Sequence, residues 1–194
     1  KNNGSSTIQR QAYTHCIKNY SNSCKYIMML DLDEFLFGIN DKVINIINKL
    51  ELESDTVQIK SIKIPRFDYG SDGHIKRPSG DVRNNYFTKE KICSSYKTIA
   101  NTDFLLMTDF YGVHDFPFND KEGKVYNSYF SYRETGLPNG CKSNINEVPL
   151  VIHHYYTKSY EEYMDRCKLW KNGGINTIGY RKNCKEEFEK RAFF

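Results

Sequence analysis

The sequence predicts an α/β fold in which helices and strands interleave within one domain, residues 1–194. Three stretches carry the prediction. Tyr26-Ile27-Met28-Met29-Leu30 is a short apolar run that meets Asp31, Asp33 and Glu34; it reads as a fully buried strand with acids at its end. Residues 56–64 alternate apolar and polar side chains, the mark of a second strand. Val148–Ile152 is a third apolar run, and a capped helix follows it. Chain length is enough for a sizeable core.

The elements follow in order. Residues 7–21 read as a helix with Ile8, Ala12, Cys16 and Tyr20 on one face and Ser5, Ser6 and Thr7 as N-cap candidates. The strand over 25–30 and the acidic loop come next. Asp41 is placed to cap a helix carrying Val43, Ile46, Ile47 and Leu50. The alternating strand is expected to stop at Pro65. Residues 65–85 then form a long loop, rich in Gly, Asp and Ser, of the kind that is functional or disordered in compact domains. Tyr86-Phe87, Tyr96–Ile99 and Asp103–Met107 are strand candidates, ahead of Gly112-Val113-His114-Asp115. Residues 133–147, with Gly136, Pro138 and Gly140, read as loop. Ser159 with Glu162 forms a capping box for a helix whose apolar face is Tyr160, Tyr163, Met164, Cys167 and Trp170, stopped by Gly173-Gly174. Residues 184–193 add a short last helix.

A formal net charge of +4 and the lack of a long basic or basic-aromatic run argue against nucleic-acid binding. No apolar segment approaches the ~18 residues that span a membrane, and no signal peptide is recognisable. The six cysteines contain no CxxC pair, which argues against a structural zinc site. They permit disulfides or free thiols, so the compartment stays open between cytoplasm and secretory lumen.

Three constellations carry chemistry. Burying three acids at a strand end is costly unless a cation meets them. In an extended turn Asp31 and Asp33 point the same way, and their hard oxygens suit Mn²⁺ or Mg²⁺. His153-His154 ends the third strand, so His154 is a candidate further ligand, and His114 is a second candidate for that role. Lys158 is placed to oppose diphosphate charge. The Gly70-Ser71-Asp72-Gly73-His74 loop lets backbone approach a ligand, and Asp72 is a candidate general base. No GxSxG element supports serine catalysis.

The order of these pieces resembles glycosyltransferase family 92. Gln11-Ala12, Lys25-Tyr26-Ile27 and Asp31-Leu32-Asp33-Glu34-Phe35-Leu36 come first. Tyr69-Gly70-Ser71-Asp72-Gly73-His74 resembles the family's aromatic-Gly-Ser-x-Gly-His loop. His153-His154-Tyr155-Tyr156-Thr157-Lys158-Ser159 resembles its His-Tyr-x-x-Lys-Ser element, and Lys168–Gly173 its Lys-x-x-x-x-Gly tail. The resemblance implies a GT-A-like mixed sheet flanked by helices and inverting transfer from a nucleotide-sugar donor, UDP-linked in the family, to a glycan or other hydroxyl acceptor. It implies Mn²⁺ at Asp31 and Asp33, with Lys158 and His154 matching the family's Lys and His. Tyr69, Gly70 and His74 fall on the acceptor side, and Asp115 joins Asp72 as a candidate base. Only 30 residues precede Asp31, so the opening nucleotide-binding segment of the fold is expected to be missing. Two rivals accompany this reading. A haloacid-dehalogenase-like phosphatase shares an Asp-x-Asp after an apolar strand but wants Thr or Val where this chain has Phe35. A non-catalytic sugar- or nucleotide-binding remnant is the other.

Overall fold

A computed structural model describes residues 4–54, 56–91, 93, 95–107, 114–126, 148–172 and 183–192. The expected loop over 133–147, Gly112-Val113 and the Gly173-Gly174 stop lie outside the described residues. The chain forms two compact units. The larger contains Ile8–Phe67 and Lys91–His153, the smaller Asp68–Glu90 and His154–Phe194 together with the first seven residues.

The larger unit is a mixed α/β sheet with helices. In chain order it has α1 (Gly4–Tyr20), β1 (Tyr26–Met28), β2 (Glu34–Gly38), α2 (Val43–Glu53), β3 (Ile59–Asp68), β4 (Ser95–Asn101), β5 (Lys124–Tyr126) and β6 (Leu150–His154). The strands lie in the order β1-β4-β3-β6-β2, with β5 added beside β3. β1 and β3 run antiparallel to β4, while β5 is parallel to β3. β1 thus ends the strand order, and its residues are half-buried, not fully buried as its apolar run suggests.

β3 continues through Pro65, which pairs with Tyr96. A proline interrupts a ladder only where its nitrogen has to donate. Ile59, Ile62 and Ile64 all reach one core cluster with Ile99, Ile152 and α2's Ile46, Ile47 and Leu50. Strict alternation would separate Ile59 from Ile62, but the register with β5 slips between Ile59 and Ser61 and brings them together. α2 forms as its apolar spacing predicts. Lys42 occupies its N-cap, without a side-chain bond, while the Asp41 carboxylate accepts from Lys42 N–H and Asn45 Nδ2 instead.

α1 differs more. Ile8 and Tyr20, expected on its inner face, are exposed, and Ile17 is buried completely in a second cluster with Ala100, Leu105 and Phe116. The protein-facing side of the helix runs through Gln9, Tyr13 and Ile17. Two of those three are polar, so a hydrophobic periodicity points elsewhere.

The smaller unit is built on α3 (Tyr160–Asn172) and α4 (Cys184–Arg191). The capping box forms as predicted: Glu162 N–H donates to Ser159 Oγ at 3.2 Å, and Glu162 Oε2 accepts from Ser159 N–H at 3.3 Å and from its hydroxyl at 2.8 Å. Tyr163, Phe188 and Ala192 pack with Cys167 and Cys184, which are joined by a disulfide across 17 positions. Cys93, in the larger unit, is also disulfide-bonded, whereas Cys16 and Cys24 are free thiols. Closing a loop of this size restricts the unfolded chain by about 3 kcal/mol. Cys184→Ala should therefore lower the unfolding free energy by roughly that amount, read by urea denaturation under non-reducing conditions. A loss within error, or equal losses in oxidised and reduced samples, would show that the bridge contributes nothing.

Candidate functional site

The acidic loop is a tight turn between two strands. Glu34 N–H donates to Asp31 O at 3.0 Å, which makes Leu32 and Asp33 the central residues. Leu32 stands fully in solvent at the tip. The turn is closed a second time by its own side chain, since Asp31 N–H donates to Glu34 Oε2 at 3.0 Å. The extended geometry expected for Asp31-x-Asp33 is replaced by this closed turn, because Glu34 already begins β2.

Glu34 is the centre of the site. Its side chain is fully buried and its carboxylate meets two cations: Lys97 Nζ lies 2.6 Å from Oε2, and Arg66 Nη1 lies 3.2 Å from Oε1. Lys97, on β4 with 1 % of its side chain exposed, also reaches Asp31 Oδ2 at 3.1 Å. Antiparallel pairing explains the convergence. Ile64 lies opposite Lys97 and Arg66 opposite Ser95, so Arg66 and Lys97 share a face of the sheet. Within the protein, the cations that meet these acids are Lys97, at Glu34 and Asp31, and Arg66, at Glu34. The available signal was a lysine inside the Tyr96–Ile99 strand candidate.

Asp31 is also held from α1. Gln9 Nε2 donates to its Oδ1 at 2.8 Å, and the Tyr13 hydroxyl donates to the same oxygen at 3.2 Å. Tyr13's hydroxyl is pushed up to about 12, first by burial and then by the Asp31 charge, so it stays a donor throughout the neutral range. About a third of the Asp31 side chain remains open to solvent. His114 is within electrostatic reach of the same cluster. Burial of its ring, then the Arg66 and Lys97 charges, lower its pKa below the ordinary value, against the opposing pull of Glu34 and Asp31. The residue as a whole is exposed to solvent. Its neighbour Asp115 accepts from Thr98 Oγ1 at 2.9 Å and pairs with Lys63, whose ammonium also lies 4.4 Å from the Tyr96 ring centre.

The remaining expected site residues belong to the smaller unit. His154 is buried, and its Nδ1 lies 2.7 Å from Asp68 Oδ1. Arg191 stands 3.7 Å from the other Asp68 oxygen. Tyr156 carries the Arg166 and Arg191 guanidinium groups 4.8 and 5.0 Å from its ring centre, a cation–π arrangement. In the glycine loop, Asp72 and Gly73 both take left-handed backbone, at φ 48° and 75°, which Asp and Gly tolerate best. The Asp72 carboxylate accepts from Phe87 N–H at 2.6 Å, from Thr88 N–H at 3.0 Å and from the Thr88 hydroxyl. It pins one side of the loop to the other. Gly70 N–H donates to Thr88 O at 2.8 Å. His74 Nε2 donates to Asn85 O at 3.0 Å, because a carbonyl only accepts. Tyr69 is buried with its ring centre 4.6 Å from that of Tyr155. Lys158 enters α3 with left-handed backbone, at φ 56°, and its charge helps to keep Glu162 ionised. Burial opposes that ionisation, and the hydrogen bonds from Tyr86 and Ser159 outweigh it, so the Glu162 pKa is lowered.

A family model described as glycosyltransferase family 92 matches residues 1–172. The chain belongs to glycosyltransferase family 92. The family 92 chain is also similar to a rice (Oryza sativa subsp. japonica) protein whose name places it in the same family. The two are 23 % identical over 159 residues, which is 81 % of this chain and 24 % of the rice protein. The chain thus spans about a quarter of that relative's length. The family match covers the acidic turn, the glycine loop, His154 and all of α3, so the elements that carried the resemblance lie inside the family region, except for Gly173 one position beyond it. Among the described residues no helix is long and apolar enough to cross a membrane.

Proposed function

We infer that this chain is a metal-dependent glycosyltransferase domain that moves a sugar from a nucleotide-sugar donor, UDP-linked by preference, to a hydroxyl of a glycan or glycoconjugate, with inversion. The observation that carries the reading is the acidic turn of a family 92 chain, built so that Asp31 is oriented from three sides while about a third of its side chain stays open to solvent. Support for a metal comes from the donor set. Asp31 and Asp33 offer hard oxygens, with the His114 imidazole nearby. Among the described residues no group of three or more His, Cys, Asp or Glu side chains could hold a metal ion. Two carboxylates fit a cation that takes its other ligands from substrate phosphates and water, as Mg²⁺ and Mn²⁺ do. When bound, such a cation supplies Lewis-acid stabilisation of the leaving diphosphate, worth several kcal/mol.

The protein's own part is positioning. Asp31 and Asp33 are the donor-end candidates of the larger unit, with His114 in the same unit; Lys158 and His154, in the smaller unit, are the residues that match the family's Lys and His. The acceptor oxygen attacks the anomeric carbon as the bond to diphosphate breaks, and its proton passes to a carboxylate. Asp115 and Asp72 are the candidate bases; both carboxylates are engaged, Asp115 by Lys63, the Thr98 hydroxyl and Phe116 N–H, Asp72 by two backbone N–H groups and a hydroxyl. Tyr69, Gly70 and His74 are the acceptor-side candidates. The Cys167–Cys184 bridge suits an oxidising compartment such as the secretory lumen.

The test is hydrolysis and transfer across a panel of nucleotide sugars, with Mn²⁺ and with EDTA. Turnover of a UDP-sugar with Mn²⁺ that EDTA removes is the expected result. Turnover that ignores EDTA would overturn the metal dependence, and no turnover with any donor would overturn the transferase reading.

A further inference from the structure

α4 lies beyond residues 1–172, the stretch that the family model matches. Its last turn is nevertheless docked on two elements inside that stretch, the glycine loop and the segment after His154. We propose that α4 is a clasp that sets the His154 imidazole and the glycine loop, with Arg191 as the positioning residue and the Cys167–Cys184 bridge as the anchor. The part of His154 and the loop in sugar transfer rests on the transferase reading above; the clasp itself does not.

The last carbonyls of a helix have no partner within it and must find one elsewhere. In α4 they serve as tethers. Ala192 O accepts from Ser71 N–H at 2.9 Å and from the Ser71 hydroxyl at 3.4 Å, and Arg191 O accepts from Thr157 Oγ1 at 3.3 Å. Ser71 belongs to the glycine loop, and Thr157 to the segment that joins His154 to α3. Ser71, Thr157 and Ala192 are at most 1 % exposed, so water does not compete for these bonds. Tyr69 N–H donates to His154 O at 2.9 Å, which ties the loop to the same segment.

Arg191 completes the arrangement with its side chain. Asp68 is buried, and its Oδ1 accepts from His154 Nδ1–H at 2.7 Å. A carboxylate in such a place needs a cation, and Arg191 Nη1 stands 3.7 Å from Oδ2. Glu187, one turn earlier on α4, steadies the guanidinium with its Oε2 3.6 Å from Nε. A carboxylate held there keeps the imidazole proton on Nδ1 and the ring's lone pair on Nε2. The far end of the clasp is fastened at Cys184, and the Phe188 ring lies 5.1 and 5.6 Å from those of Tyr160 and Tyr163 on α3. Cys167 and Cys184 are only 2 % and 5 % exposed. An attacking thiolate needs access to a sulfur, so the bridge is a permanent anchor rather than a switch.

The experiment records two-bond proton–nitrogen spectra of the histidine rings and amide exchange in the full chain, with His154 assigned by its loss in His154→Gln. The wild type should show His154 as the Nδ1–H tautomer alone, with a protected Ser71 amide. Arg191→Met should mix the two tautomers. It should also speed Ser71 exchange and lower kcat for sugar transfer, each by about tenfold, the low end of what an outer partner of a functional histidine is worth. Arg191→Lys returns the cation and should return most of each property. A residue that merely stabilised the helix would cost stability and leave the ring spectrum of the folded protein as it was. A wild-type ring spectrum and wild-type Ser71 exchange in Arg191→Met overturn the proposal, as does an Arg191→Lys protein that behaves like Arg191→Met. Should Arg191→Met not fold, Arg191→Gln is read in its place by the same spectra and the same outcomes. Wild type that transfers no sugar overturns the transferase reading alone, because the ring and exchange measurements need no turnover.

Discussion

Asp33→Ala is expected to lower Mn²⁺-dependent sugar transfer by about 10²- to 10³-fold and to leave the far-ultraviolet circular dichroism spectrum unchanged. The size follows from the several kcal/mol that a metal contributes to a leaving diphosphate, at a factor of ten per 1.36 kcal/mol. The unchanged spectrum follows from position. Asp33 is a central residue of the turn, next to the fully exposed Leu32, and the turn is closed by bonds between Asp31 and Glu34. Rate and spectrum therefore separate a ligand from a structural acid. Transfer at the wild-type rate in Asp33→Ala would remove this residue from the donor site.

Glu34→Ala carries the largest expected loss of stability. The Glu34 carboxylate is fully buried and meets Lys97, Arg66 and the Asp31 N–H. Removing it leaves a buried ammonium and a largely buried guanidinium short of their shared counter-ion. Breaking a buried pair in this way costs roughly 3–5 kcal/mol, and denaturant unfolding measures it directly. Glu34→Gln keeps the shape and an acceptor oxygen, so it should lose less than alanine while still losing charge. A loss below about 1 kcal/mol for Glu34→Ala would show that water already reaches the cluster.

The contrast between these two acids shows how far the sequence could be read. Asp31, Asp33 and Glu34 stood out together because three carboxylates after an apolar run are unusual. Nothing local told them apart. Glu34 is a buried framework acid because it begins β2, and β2 was not foreseen: Glu34-Phe35-Leu36-Phe37 follows the acidic run too closely to be separated from it by pattern alone. Asp31 and its partners Gln9, Tyr13 and Lys97 are separated by 22, 18 and 66 positions, beyond the reach of any periodicity. The same limit explains α1. Its exposed Ile8 and Tyr20 fit an apolar stripe at helical spacing, yet the helix turns Gln9 and Tyr13 toward a carboxylate.

Elements whose signals are local were legible. The Ser159–Glu162 capping box, the α2 core residues Ile46, Ile47 and Leu50, the strand ending at His154 and the short helix from Cys184 all follow from spacing within one or two turns. The family too was legible, because its motifs are short words in a set order. Asp72 shows where that reading stops. The glycine loop was correctly located, but its acid faces Phe87 and Thr88, and only the folded loop reveals that its oxygens are engaged.

By itself, then, the sequence determined the α/β class, the family and the place of the acidic turn, since each depends on side chains near one another along the chain. The tertiary structure decided which acid is buried, which cations meet it and which helix face turns inward. Those are long-range electrostatic and packing choices: a buried charge is tolerated only where the fold brings a distant partner to it, and here the partner of the turn is Lys97.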